Sequence, residues 1–432
     1  MSILKVSNII NYLKRESCAI CNESRMKKIM SLNPTPICDA FIPADKLAKT
    51  QGTYPLDLYF CENCGLLQIL DIISPEALYK DYIYETSASM GLSSYFKRYA
   101  DEIIQNIETT GNLVVDIGCN DGTLLKYFES KGKKVVGVEP ATDISEKVRS
   151  GGVPCYTNFF SIEVAKKIFS EHGPASIVTA NNVFANIVDL NEFLQGVRCL
   201  LADDGVLVVE TGAGLDVMKN LMVDTIAHEH IYYFTVKPLQ YLSKQNGFEL
   251  VDVKAVNSKG GSLHAVMQLM GGSRSASSSV YQRREYEQSL GFEQVEVYQK
   301  YTVKLEKLRT ELIAILDGIK EKGLTFAVYG AAAGVTNLLY YFDINDRVDY
   351  LIDDNVERHS LFSPGFHIPV VAPKTIYERN PDYILILAWR YAKPIIAKHH
   401  QFINQGGKFI IPLPRIQIVS EIDSIVDDLC SP

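Results

Sequence analysis

The sequence predicts an α/β protein of three parts, on three observations. Two Cys-x-x-Cys pairs, Cys18/Cys21 and Cys61/Cys64, bracket a short N-terminal segment. From NLVVDIGCNDG onward, apolar strands at VVGVE, SIVTAN and GVLVVET alternate with stretches of helical periodicity, the pattern of a doubly wound parallel sheet. A second strand, glycine-alanine turn and helix begins at TFAVYGAAAG. The expected parts are residues 1–78, 79–255 and 256–432.

The bulk composition fits such a chain and narrows its partners. At 432 residues it is long for one hydrophobic core. A net charge of -8, from 43 basic and 51 acidic residues, gives no footprint for a nucleic-acid backbone, although a local basic pocket for a small anion stays open. No apolar run approaches the roughly 18 residues of a membrane span, and MSILKVSNIINYLKRES lacks the apolar core and cleavage site of a secretory signal. The expectation is a cytoplasmic protein with neither membrane nor nucleic acid as partner; the oligomeric state is not legible.

In the first part, two thiolate pairs of identical spacing complete a tetrahedral Zn²⁺ site, with Gly65 where the second knuckle needs a permissive backbone. Four cysteines close the coordination sphere, so the expected zinc is structural. Cys38, Cys119, Cys155, Cys199 and Cys430 read as ordinary small or buried residues.

In the second part, strand one (Leu113 to Ile117) runs through a glycine-containing turn into a helix, and strand two ends on Glu139. The turn carries Asp116, Gly118, Asn120 and Gly122, and is not the G-x-G-x-x-G of a dinucleotide site. An acid at the end of strand one disfavours a phosphate but favours S-adenosylmethionine, which carries an amino group and a sulfonium. Glu139 stands where an acid hydrogen-bonds ribose hydroxyls. Together they read as a class I, Rossmann-like methyltransferase domain. Asn181 and Asn182 follow strand four at the ligand-binding edge of an open sheet.

The stretch DTIAHEHIYYFT follows strand five on the same edge, and puts His228, Glu229 and His230 together in a chain with only eight histidines. The i, i+2 spacing is not that of a zincin helix. Imidazole is the side chain best matched to remove a proton near neutral pH, as methyl transfer to oxygen or carbon requires.

After the second part, GGSRSASSSVYQRREYEQ reads as a linker or mobile loop. An amphipathic helix is expected next, with Val297, Tyr301, Leu305, Leu308, Leu312, Leu316 and Ile319 on its apolar face. The third part then reads as a second Rossmann-like α/β domain, whose glycine-alanine loop either binds a nucleotide or packs.

The order of the zinc segment, Y-x-Y-x-T-S, VVDIGCNDGTLL, HEHxxYF, GGSL, a YGA-type loop, IDDN, SPGxHIP and LAW resembles that of the sugar-nucleotide C-methyltransferases, which make branched deoxysugars, over nearly the whole chain. The resemblance implies an S-adenosylmethionine-dependent enzyme acting on a small-molecule nucleotide sugar held partly by the C-terminal domain. A base removes the acidified proton beside the ketone of a keto-deoxysugar, and the carbanion takes the methyl group. His230 matches the family's base and Glu229 its neighbour, while His228 has no assigned role. Tyr82 and Tyr84 match an aromatic pair that enters the substrate pocket.

Several positions depart from the family's pattern. Ala227 replaces a tyrosine before HEH, Asn186 replaces a histidine, and HGGSLR reads KGGSLH, with Lys259 and His264 as substrate-binding candidates. Gly334 replaces a lysine, and LAWN has become LAWR, with Arg390 a third candidate. The donor site is intact while the pocket has changed. The alternatives are an O- or C-methyltransferase for another acceptor, or a non-catalytic nucleotide-sugar-binding protein.

Overall fold

Strands buried on both faces, such as Leu113–Ile117 and Ala175–Asn181, belong in the interior of a parallel sheet. The computed structural model of the chain, which describes residues 12–79, 86–88 and 91–421, puts them there. Numbering the strands of the two large sheets in chain order, the central sheet contains β1 (Leu113–Ile117), β2 (Lys134–Val138), β3 (Cys155–Tyr156), β4 (Ala175–Asn181), β5 (Leu201–Gly212), β6 (Phe248–Val256) and β7 (Ser262–Leu269). Their order is β6-β7-β5-β4-β1-β2-β3. Strands β1 to β5 are parallel, and β7 runs antiparallel to both β5 and β6. Chain order reverses between β1 and β4, and an open sheet binds ligands at the carboxyl ends of such a pair.

The β6-β7 antiparallel hairpin carries the central sheet across residue 255, where the sequence divides the second part from the third. One sequence expectation changes: the serine- and arginine-rich stretch is a helix from Ser278 to Ser289. Ser277 caps it by accepting from the Ser279 N–H, and Arg283 pairs with the buried Glu287 one turn on. Composition suggested a loop; cap chemistry and a buried ion pair made a helix.

The C-terminal sheet contains β8 (Phe326–Tyr329), β9 (Leu351–Ile352), β10 (Val370–Val371), β11 (Tyr383–Ile386), β12 (Lys408–Ile411) and β13 (Gln417–Val419), in the order β10-β9-β8-β11-β12-β13. All neighbours are parallel except β13. The helix expected before it spans Val295–Glu321 and buries Tyr298, Leu305, Leu308, Leu312, Leu316 and Ile319, while Val297 and Tyr301 are half-buried. Among the described residues, no helix is long and apolar enough to cross a membrane.

The parts are stitched together by backbone. Tyr232–Tyr233, immediately after the HEH stretch, pairs with Leu67 and Gln68 at the edge of the N-terminal antiparallel sheet. Ile42–Pro43 of the N-terminal part pairs with Leu361–Phe362 of the C-terminal part. The HEH loop is therefore held between all three.

Candidate active site

At the switch point between β1 and β4 lies a cavity of about 460 Å³. Asp116, Gly118, Asn120, Glu139, Asn181 and Asn182 all line it, whereas Gly122 starts the following helix and does not. Gly118 has φ +71°, and a Cβ there would lie 3.1 Å from Val183, so the turn needs glycine on both counts. The Glu139 carboxylate accepts from the N–H groups of Asn120 (3.0 Å) and Ala141 (2.9 Å). The Asp116 carboxylate accepts from the Thr179 hydroxyl at 2.6 Å.

The electrostatics of this cavity favour a cation. Burial pushes Asp116 up to about 7, opposed by the Thr179 hydrogen bond and assisted by the charge of Glu139. Burial also raises Glu139, against its two backbone hydrogen bonds. A cationic ligand beside both acids relieves that cost, which fits the amino and sulfonium groups of S-adenosylmethionine. The buried amide nitrogen of Asn181, a residue of the cavity wall, has no partner among the described residues, while its oxygen accepts from Tyr99 at 2.7 Å.

The HEH loop adjoins this cavity through two lining residues. The hydroxyl of Tyr79 donates to the Glu229 carbonyl at 3.4 Å, and the charge of Lys259 acts on both Glu229 and His230. His230 Nδ1 lies 2.8 Å from the carbonyl oxygen of Thr225. A carbonyl can only accept, so Nδ1 carries the proton and Nε2 presents a lone pair. Burial lowers the His230 pKa, against the Thr225 bond, with Lys259 and Arg390 lowering it further and Asp224 opposing them. A neutral imidazole results. Burial pushes the Glu229 carboxyl up to about 7, with Asp39 adding to the shift and Lys259 opposing it.

His228, the third catalytic candidate, does not share this position. It is buried, with Nε2 3.1 Å from the Pro55 carbonyl and its ring edge-on to Tyr54, both in the N-terminal part. Burial lowers its pKa to about 4, against its hydrogen bonds to Pro55 and Tyr54. It fastens the loop to the neighbouring sheet.

In the N-terminal part, the four sulfurs of Cys18, Cys21, Cys61 and Cys64 lie within 4.8 Å of one another. The Cys18–Cys64 and Cys21–Cys61 separations are each 3.5 Å, close to the roughly 3.8 Å of sulfurs ligating one tetrahedral zinc at about 2.3 Å. Both knuckles turn through a left-handed residue after the second cysteine, Asn22 (φ 57°) in one and Gly65 (φ 81°) in the other. Gln68 donates to the Cys18 sulfur at 3.2 Å, a hydrogen bond that helps fix the orientation of that thiolate.

Three family models match the chain in succession: a zinc binding domain at residues 18–79, a methyltransferase domain at 92–253, and a C-methyltransferase C-terminal domain at 257–414. The C-methyltransferase NovU of Streptomyces niveus is 30% identical over 407 residues, which span 94% of this chain and 97% of that protein. The chain belongs to the C-methyltransferase family. Similar solved structures include the PH0226 protein from Pyrococcus horikoshii OT3, 16% identical with a TM-score of 0.34, over 43% of this chain and 95% of that one. The CcbJ methyltransferase from Streptomyces caelestis is 13% identical with a TM-score of 0.32, over 45% and 96%.

In this S-adenosylmethionine-dependent C-methyltransferase, the three substrate-binding candidates part company. Lys259 lines the donor cavity and is exposed to solvent. His264 lies elsewhere: its Nε2 is 2.6 Å from the Tyr95 hydroxyl and 3.4 Å from Glu210, and it lines a separate cavity. Its pairing partner on β5 is Glu210, so strand register carries it to that cluster instead of the donor cavity. Arg390 is ion-paired to Asp224 at 2.7 Å. Tyr82 and Tyr84 lie outside the described residues.

Sequence reasoning missed Tyr99 and Thr179, which hydrogen-bond Asn181 and Asp116 of the donor cavity, and Tyr95 and Glu210, which cluster with His264. Only Glu210 had a signal, an acid following the apolar run Val206–Val209. Asn186, noted only as a departure, lines the cavity with its buried side-chain oxygen lacking a partner among the described residues.

Proposed function

We propose that this C-methyltransferase acts on a nucleotide-linked keto-deoxysugar, with His230 removing the proton from the carbon beside the ketone. The observation that carries the reading is the His230 hydrogen bond to the Thr225 carbonyl, which leaves Nε2 as acceptor. A lowered pKa keeps that nitrogen unprotonated at neutral pH. S-adenosylmethionine, held by Asp116, Glu139, Asn120 and Asn181, supplies an electrophilic methyl group when bound. Lys259, at the cavity wall, offers a positive charge to the enolate oxygen that forms as the proton leaves. The Asn186 oxygen offers an acceptor for a substrate hydroxyl. Glu229, with a pKa near neutrality, can relay the proton onward.

The test is solvent hydrogen exchange followed by NMR in D₂O, with S-adenosylhomocysteine present and keto sugars carried on dTDP, UDP, GDP and CDP. Loss of one ring-proton signal, above the enzyme-free rate and absent with His230→Asn, is expected. Undiminished exchange in that variant removes His230 from the role. Absence of exchange across the panel moves the assignment to another acceptor.

A further inference from the structure

The turn that orients His230 is gripped from outside its own domain. Its three residues, Val223–Thr225, form a single short turn, and Thr225 offers one carbonyl to both His230 Nδ1 (2.8 Å) and the Tyr233 hydroxyl (3.2 Å). Arg390, just after β11 of the C-terminal sheet, brings Nη1 to 2.7 Å from the buried Asp224 carboxylate. Asn337, in helix Ala333–Phe342 of that sheet, donates its amide N–H groups to the carbonyls of Asp224 and Ile226, each at 3.0 Å.

The grip has little slack. A Cβ at Gly260 would lie 3.2 Å from Arg390 Cδ, and one at Gly334 would lie 3.3 Å from Asp224 Oδ2, so neighbouring backbone packs against each partner, Asp224 being buried and Arg390 half-buried. The second Asp224 oxygen is buried without a hydrogen-bond partner among the described residues, which leaves Arg390 as the cation in contact with this carboxylate. Removing the half-buried Arg390 strands the buried Asp224 charge, and the usual result is protonation or movement of the stranded group. Movement of Asp224 carries Thr225 with it.

We propose that Arg390 is a positioning residue of the reaction: acting through Asp224 and the Thr225 carbonyl, it fixes the ring orientation and tautomer of His230, so that the C-terminal domain decides whether the base is set. The inference rests on the reading of His230 as the base. Without the fixed carbonyl, the ring is free to move its proton to Nε2 and so lose its acceptor. The charged groups around the ring are Lys259 after β6, Arg390 after β11, Asp224 in the turn, and Glu229 beside it in the chain.

The tautomer can be read directly, without the acceptor substrate. In the full-length protein labelled with ¹⁵N-histidine, long-range ¹H–¹⁵N correlation distinguishes a protonated Nδ1 from a protonated Nε2, and His230 is assigned by its loss in His230→Asn. The wild type is expected to show a single Nδ1–H form. Arg390→Gln and Asp224→Asn are each expected to lose it for a mixture or for the Nε2–H form, while Arg390→Lys retains it. An unchanged His230 spectrum in folded Arg390→Gln overturns the proposal, as does a loss in Arg390→Lys equal to that in Arg390→Gln. If Arg390→Gln fails to fold, an unchanged spectrum in Asp224→Asn overturns it instead. This readout is independent of the deuterium-exchange test, in which a fully active His230→Asn removes the base assignment itself.

Discussion

Asp116→Asn is expected to make the ligand-free protein more stable while weakening its hold on the methyl donor. Asp116 has a folded-state pKa of about 7 against an ordinary 3.8, chiefly through burial. The folded state therefore holds a proton that the unfolded state releases, and stability falls as pH rises from the unfolded pKa through the folded one. At about 1.36 kcal/mol per unit, the ionised carboxylate costs about 4 kcal/mol at pH 8 and about 1.7 kcal/mol at pH 5. Asparagine carries no such cost, and its oxygen can still accept from Thr179. The difference between variant and wild type should thus grow by about 2.6 kcal/mol between the two pH values. For a chain of 432 residues melting as a unit, that is a shift of about 3 °C, the variant melting higher at pH 8. The assay is a thermal melt of extensively dialysed protein at both pH values, paired with calorimetric titration of S-adenosylmethionine. A stability difference independent of pH refutes the electrostatic reasoning, and unchanged donor affinity refutes the placement of Asp116 at the donor.

Gly118→Ala should lower affinity for S-adenosylhomocysteine by about ten-fold or more, the equivalent of about 1.4 kcal/mol, because φ +71° and the 3.1 Å approach to Val183 force the turn to shift. Calorimetry reading an unchanged affinity would show that the turn does not set the pocket. Cys61→Ser should reduce the zinc content from one atom per chain and lower the melting temperature; elemental analysis finding no zinc in the native chain would contradict the four-sulfur site. His228→Gln should destabilise the protein by about 1–3 kcal/mol while leaving hydrogen exchange active, since its ring is bound to Pro55 and Tyr54 and not to substrate space. Abolished exchange with an unaltered melt would return His228 to the chemistry.

What the sequence revealed divides along a physical line. Asp116, Gly118 and Glu139 were legible because a strand-end acid, a left-handed turn and a second strand-end acid are local features, fixed by a few consecutive residues. The cysteine knuckles were legible for the same reason, although Asn22 taking the left-handed position of the first knuckle was not read. His264 was misplaced because its location depends on register: on β7 it stands opposite Glu210 of β5, and no local pattern states which residue of one strand meets which of another. His228 and His230 look equivalent in HEH, yet their hydrogen bonds run to Pro55 in one part of the fold and Thr225 in another.

The same contrast bears on why the chemistry is spread over three domains. A histidine acts as a base only in the right tautomer and pointing the right way, and neither property belongs to the imidazole itself. Here both come from a carbonyl in a three-residue turn, too short to hold its own geometry. The turn is bounded by Asn337 and Arg390 from the C-terminal sheet, by His228 bonded to the N-terminal sheet, and by Tyr232–Tyr233 paired at that sheet's edge. The donor cavity is built mainly by the central domain, with Pro75, Glu76 and Lys259 reaching it from either side, and the orientation of His230 rests on contacts with both flanking parts. Zinc belongs to the same argument. Cys18, Cys21, Cys61 and Cys64 would hold it, and a metal closing those knuckles would stiffen the sheet to which Tyr232–Tyr233 is paired, so that a closed site with no position for substrate would still bear on how firmly His230 is held.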